Sequence, residues 1–92
     1  MRVRWTGAAV RDLTAICDYI QTHSSVESAR KVALRIYESL NSLLQFPNMG
    51  RRGKKNGTRE LVIRGIPFLA IYRVSEEVVE VVRILHGAQR WP

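Results

Sequence analysis

Three short apolar runs, residues 58–64, 68–74 and 78–85, follow one another with only three residues between each pair. That spacing constrains the fold more than any other feature of the chain. Gly65-Ile66-Pro67 and Ser75-Glu76-Glu77 are too short to carry a crossover, so each must be a turn, and the strands it joins must be antiparallel neighbours. The result is a three-stranded meander. Its apolar face needs a cover, and the cover must come from the residues upstream.

Upstream, Val3 and Trp5 alternate with Arg2 and Arg4, which predicts a short strand with one apolar face and Trp5 in the core. Thr6 is placed to cap a helix beginning at Gly7 or Ala8. Ala9, Leu13, Ile16 and Ile20 fall on one face of that helix, whereas Arg11, Asp12 and Asp18 lie away from it. The helix should end near His23, where a cation suits the helix dipole. Ser24 and Glu27 then fit a capping box. Ala29, Ala33, Ile36, Leu40 and Leu43 form a second apolar stripe, widened by Val32 and Leu44, up to Gln45, where Pro47 prevents continuation. The expected order is β-α-α-β-β-β, a two-layer α+β fold with a helical hairpin packed on one face of an antiparallel sheet. At 92 residues, this is one domain spanning 1–92.

The residues with chemical potential lie outside these stripes. Arg51-Arg52-Gly53-Lys54-Lys55-Asn56-Gly57-Thr58-Arg59 holds five basic residues in nine and no acid, within a Gly-rich loop suited to phosphates or carboxylates. It is not a P-loop, because no lysine-hydroxyl ending follows the spaced glycines. Arg73 and Arg83 sit inside apolar strands, with Arg83 expected on the face of Val79, Val81 and Leu85. Each must pair with an acid such as Glu60 or Glu80, or line a groove for an anionic partner. His86, at a strand end, could act as a general acid or base. Trp91 either packs back onto the sheet or stands out as an interface anchor. The chain carries 15 Lys+Arg against 8 Asp+Glu, a formal charge of +7, which attracts nucleic acid, acidic protein or an anionic membrane without saying which. Cys17 is the sole cysteine, so neither a disulfide nor a metal cluster is expected, and a reducing cytoplasm fits. No run approaches the ~18 apolar residues of a membrane span.

Several local patterns recur in order along the chain. They are Trp5-Thr6, Asp12-Leu13, Tyr19-Ile20, Leu43-Leu44-Gln45-Phe46-Pro47, Gly50-Arg51, Arg59-Glu60-Leu61-Val62, Ile71-Tyr72-Arg73-Val74 and Arg83-Ile84-Leu85-His86-Gly87-Ala88. As a set, they resemble the ParE branch of the RelE/ParE toxins of bacterial toxin–antitoxin pairs. The resemblance implies a growth-arresting toxin held inactive by a cognate antitoxin, through an acidic, partly disordered segment laid along the helical hairpin and the exposed face of the sheet. It implies no cofactor, no small-molecule substrate and no membrane partner.

ParE members poison DNA gyrase, whereas RelE members cut messenger RNA in the ribosomal A site. For the nuclease alternative, Lys54, Lys55, Arg59, Arg83 and His86 would stand in for the catalytic set. Against it, Gly87 follows His86, no tyrosine comes after, and Phe68 sits where some relatives place a strand arginine. A third reading, a small basic nucleic-acid-binding regulator, rests on the loop alone. For the gyrase reading, the target-binding residues are Arg51, Arg52, Lys54, Lys55, Arg59, His86, Arg90 and Trp91. The loop precedes the first meander strand and the tail follows the third. Those points lie at opposite ends of a three-stranded sheet, so two separate patches are expected.

Overall fold

Thr6 joins the first strand, β1 (Arg2–Trp5), to the first helix, α1 (Gly7–His23). In the computed structural model, which describes residues 1–87 and 89–92, its hydroxyl oxygen accepts from Ala9 N–H at 3.1 Å and donates to Val82 O at 2.8 Å. One side chain thus caps the helix and ties it to the last strand. Ala88, part of the C-terminal motif noted above, lies outside the described residues.

The second helix, α2 (Val26–Ser42), departs from expectation at both ends. Its cap is Ser25, whose Oγ accepts from Ser28 N–H at 3.0 Å. Ser24 instead closes α1, its N–H donating to Ile20 O, so no capping box forms on Ser24. The helix stops at Ser42 because Leu43, Leu44 and Gln45 each donate to a carbonyl three residues back, tightening the chain ahead of Pro47. Leu44 consequently turns outward and is exposed rather than widening the apolar stripe.

Four more strands, β2 (Arg51–Arg52), β3 (Arg59–Val62), β4 (Phe68–Val74) and β5 (Val78–His86), complete a sheet of order β1-β5-β4-β3-β2. The β3-β4-β5 meander is antiparallel, as its turns require. The sheet as a whole is mixed, because β1 runs parallel to β5, from Arg2 opposite Val78 to Trp5 opposite Val81. β4 occupies one side of β5, and β1 takes the other. The basic loop also contains a strand: β2 pairs with β3 through Arg51–Glu60 and Arg52–Arg59.

A bulge changes which residues of β5 face the helices. Val81 lies opposite Tyr72 and Arg83 opposite Ile71, so Val82 has no partner on β4. One extra residue in a strand reverses the facing of everything beyond it. Ile84 therefore joins Val79 and Val81 in the core, and Arg83 leaves the face that strict alternation assigns to it. The core between the layers is built from Ala9, Ile36, Leu40 and Leu43 of the helical side and Leu61, Ile63, Ala70, Tyr72, Val79, Val81 and Ile84 of the sheet side. Val3, Trp5, Leu13, Ile16 and Val32 pack around it, partly buried. Among the described residues, no helix is long and apolar enough to cross a membrane.

Tyr72 places a polar group deep in this core. Its hydroxyl donates to Pro47 O at 2.8 Å and accepts from Gly50 N–H at 2.9 Å. Burial raises the phenol above its ordinary value near 10, against smaller opposing effects of the Gly50 hydrogen bond and the Arg59 charge. Removing the hydroxyl in Tyr72→Phe should cost about 1–3 kcal/mol, because Gly50 N–H and Pro47 O both lose a partner. A raised folded value means that this contribution is complete below pH ~10 and is lost as pH climbs through it. Urea unfolding of both forms from pH 7 to 11 checks this. The gap between them should be widest at neutral pH and narrow above 10.

Candidate functional site

The Tyr72 hydroxyl is also what positions the basic loop. A Cβ at Gly50 would lie 2.7 Å from the Tyr72 ring and 2.8 Å from Glu60 O, so only glycine lets the chain approach this closely. Arg59 fixes the same segment from the other side, its Nη1 donating to Gly50 O at 2.8 Å and more weakly to Asn48 O at 3.4 Å. Thr58 O accepts from Gly53 N–H at 2.8 Å and closes the loop tip. The loop is therefore tethered at its base, and its cationic side chains are left facing solvent.

The sheet face opposite the helices carries Leu69, Ile71 and Leu85. Ile71 and Leu85 are buried, although no helix covers them. The C-terminal tail does so. It runs back across this face, and Trp91 lines a cleft of about 160 Å³ together with Leu69, Ile71, Leu85, Arg51 and Lys54. Lys55 Nζ stands 5.7 Å from the centre of the Trp91 ring, within cation–π range. Arg51 pairs with Glu60 across β2 and β3 at 2.9 Å. The loop and the tail thus form one surface, not the two patches that strand direction alone suggests. The physical reason is that the tail does not continue outward from β5 but folds back over apolar side chains that would otherwise be wet.

The two strand arginines have different fates. Arg83 binds Asp12 bidentately, Nε to Oδ2 at 2.6 Å and Nη2 to Oδ1 at 3.0 Å. Neither Glu60 nor Glu80 is its partner: Glu60 pairs with Arg51 and Glu80 with Arg4. Asp12 Oδ2 also accepts from Ile84 N–H at 3.0 Å. β1 ends at Trp5, opposite Val81, so β5 has an open edge beyond that point, and Asp12 fills it. Periodicity assigns Asp12 to the outer face of α1, and the structure corrects this. The hydrogen bond to Asp12 raises the Arg83 guanidinium further, outweighing its burial, so it is charged throughout. Arg73 lies opposite Glu80, half-buried, and forms no ion pair with it.

His86 closes β5. Its backbone N–H donates to Gln89 Oε1 at 2.7 Å, and its ring meets Phe68 edge-on with centroids 5.7 Å apart. The eight residues expected to bind a target are therefore distributed as follows. Arg51, Lys54, Arg90 and Trp91 line the tail cleft, and Lys55 touches Trp91. Arg52 and Arg59 line a neighbouring hollow with Lys55. His86 lies outside both, lining a groove with Tyr19 and Phe68. Residues that sequence reasoning passes over are Asp12 and Tyr72, which hold Arg83 and the loop in place. Both lie inside patterns already singled out, Asp12-Leu13 and Ile71-Tyr72-Arg73-Val74.

Solved structures share this architecture. The chain superposes on a chain of the chromosomal ParDE toxin–antitoxin system of P. aeruginosa with a TM-score of 0.85 and 33% identity, covering 94% of this chain and 95% of that one. It shares the fold of a chain of the RelBE2 toxin–antitoxin complex of Mycobacterium tuberculosis, at a TM-score of 0.63 and 22% identity over 92% and 95% of the two chains. The fold is that of the small toxins of type II toxin–antitoxin systems. Within that class, the profile of the ParE toxin of type II toxin–antitoxin systems, parDE, matches residues 3–91, and the chain belongs to that family. It is 41% identical to the putative toxin Y4kP of Sinorhizobium fredii, covering 99% of this chain and 93% of that protein. It is 40% identical to toxin RelE2 of Caulobacter vibrioides, covering 96% and 97%.

Proposed function

We propose that this toxin arrests growth in the cytoplasm by binding DNA gyrase through the surface that joins the basic loop to the C-terminal tail. The carrying observation is the commitment of two arginines. A nuclease would need Arg59 and Arg83 turned toward a phosphate, to offset charge developing at phosphorus. Here Arg59 is bound to the carbonyls of Gly50 and Asn48, and Arg83 to the carboxylate of Asp12. His86 lines a different groove from Lys54, with Gln89 bordering both. What is left exposed is a surface of cations around a half-buried tryptophan, which suits a protein partner. The likeness to the P. aeruginosa ParDE system supports the same reading.

Purified chain added to gyrase and supercoiled plasmid should block supercoiling and accumulate cleaved DNA. The same preparation should leave messenger RNA intact on translating ribosomes. Cleavage at codon edges with gyrase unaffected would replace this reading with the ribosomal one.

The antitoxin of this chain is an acidic, partly disordered segment drawn to a +7 surface. Val10, Tyr19, Leu34 and Tyr37 are exposed apolar side chains on the helical hairpin and give such a segment something to bury. Mixing the two should raise helicity by circular dichroism, and affinity should fall with added salt. Unchanged helicity and salt-independent affinity would count against this mode of neutralisation.

A further inference from the structure

The pattern Leu43-Leu44-Gln45-Phe46-Pro47 runs into a turn whose apolar side chains the fold leaves in water. Phe46 is 60% exposed and Met49 50%, and the two line a shallow hollow with Pro47 and Asn48. A single exposed apolar residue needs no explanation, but a patch of them held on a fixed backbone does. The backbone here is fixed. Phe46 N–H donates to Ser42 O and Met49 N–H to Phe46 O, both at 3.0 Å. Pro47 O accepts from the Tyr72 hydroxyl at 2.8 Å, and Arg59 donates to Asn48 O at 3.4 Å and to Gly50 O at 2.8 Å. A partner that covers Phe46 and Met49 therefore meets a frame already in order and has little backbone entropy to remove.

Two observations say what covers them. Asn48 is a wall of this hollow and also of the neighbouring one, of about 360 Å³, where Arg52 and Lys55 lie and which no carboxylate lines among the described residues. A protein docked on those cations, which belong to the surface proposed to bind the target, reaches Phe46 and Met49 as well. Its complementary face carries acids beside an apolar pocket. The second observation is the charge of the whole chain. At +7, a second copy would set cation against cation, so self-association does not fit. Aromatic, methionine and arginine side chains together are the types enriched where proteins meet.

We infer that Phe46 and Met49 are an apolar anchor of the target-binding surface, seated in an apolar pocket of the target protein whose rim holds carboxylates for Arg52 and Lys55. The inference deepens the gyrase reading and rests on it for the identity of the target.

Two measurements keep the inference and that reading apart. Growth arrest on induction reports on the target whatever it is, and biolayer interferometry of the full-length chain against purified gyrase reports on gyrase. Phe46→Ser/Met49→Ser should bind gyrase at least about tenfold more weakly and lose growth arrest. The salt dependence of the remaining binding should be unaltered, because ions do not screen an apolar contact, whereas Arg52→Gln should flatten it. Phe46→Leu keeps the apolar bulk and should retain most of the affinity. Val26→Ser removes a side chain that is 54% exposed at the other end of α2 and should change affinity less than about threefold. Melting curves should match the wild type, since both replaced side chains face water. If the double variant melts early, the two single changes are read in its place.

The inference is overturned if the folded double variant keeps full growth arrest and gyrase affinity. It is also overturned if the variant loses affinity only for the cognate antitoxin, or if gel filtration shows a wild-type dimer that the variant dissolves. Growth arrest lost in the double variant, with no gyrase binding by the wild type, would overturn the gyrase reading and leave the anchor in place.

Discussion

Removing Arg90, Trp91 and Pro92 is expected to abolish growth arrest on induction while leaving the chain folded. Trp91 is half-buried over Leu69, Ile71 and Leu85, and Arg90 lines the same cleft. The deletion takes away an aromatic anchor and a cation and strips the partner from Lys55. Anchors of this kind carry a disproportionate share of binding energy, commonly about 2 kcal/mol or more each, or roughly a thirtyfold loss of affinity. The core between the layers does not include the tail. Partly exposing Ile71 and Leu85 should therefore cost roughly 2–4 kcal/mol, less than the stability of a typical domain. Growth curves after induction, together with a melting curve of the purified truncation, check both halves. His86→Ala provides the contrast. It should retain most activity, because the proposed action requires no proton transfer. A well-folded His86→Ala that is inert, beside a truncation that still arrests growth, would make the catalytic alternative the better one.

Asp12→Ala should damage the fold about as much as truncating a buried core side chain. Asp12 answers two needs at once: it neutralises Arg83 through two hydrogen bonds and accepts the Ile84 N–H at the open edge of β5. Its loss leaves a partly buried guanidinium and a backbone donor unsatisfied. The Arg83 side chain is 33% exposed and can turn partly to water, so the cost falls below that of a sealed pair, at about 2–4 kcal/mol. For a chain of this size, that is a large part of total stability. Asp12→Asn keeps an acceptor for Ile84 N–H and should lose roughly half as much. Urea midpoints of the three forms measure the difference. Equal stability of wild type and Asp12→Ala would show that the pair contributes nothing net.

Much of this architecture is legible in the residues. The turns at 65–67 and 75–77 dictate the meander, and the second of its strands runs from Phe68 to Val74 as its apolar pattern predicts. Thr6 and the apolar spacing locate α1, and the second apolar stripe locates α2 but neither of its ends. The failures share a cause. The parallel pairing of β1 with β5 joins residues 76 apart, which leaves no mark on either local pattern. The bulge at Val82 reverses the facing of Arg83 and cannot be seen in a run where nearly every residue is apolar. Asp12 looks solvent-facing because periodicity registers only what apolar residues do. For the candidate site, composition marks the loop and the tail. It does not show that the tail doubles back, because that depends on an apolar patch assembled from β4 and β5 together.

The pairing of β1 with β5 also sets a time at which this protein can exist. β1 leaves the ribosome first, but it has no neighbour until β5, the last of the five strands to be made, has followed it. The same holds for Asp12, which waits for Arg83, and for the apolar bed of Trp91, part of which is β5. Contacts this distant in sequence close late and slowly. A growing chain therefore carries its helical hairpin without a completed sheet beneath it. The surface that joins the basic loop to the tail thus cannot assemble before β5 has been made. The interval between the synthesis of β5 and sheet closure is the window in which a partner already present in the cell can reach the chain before it reaches anything else.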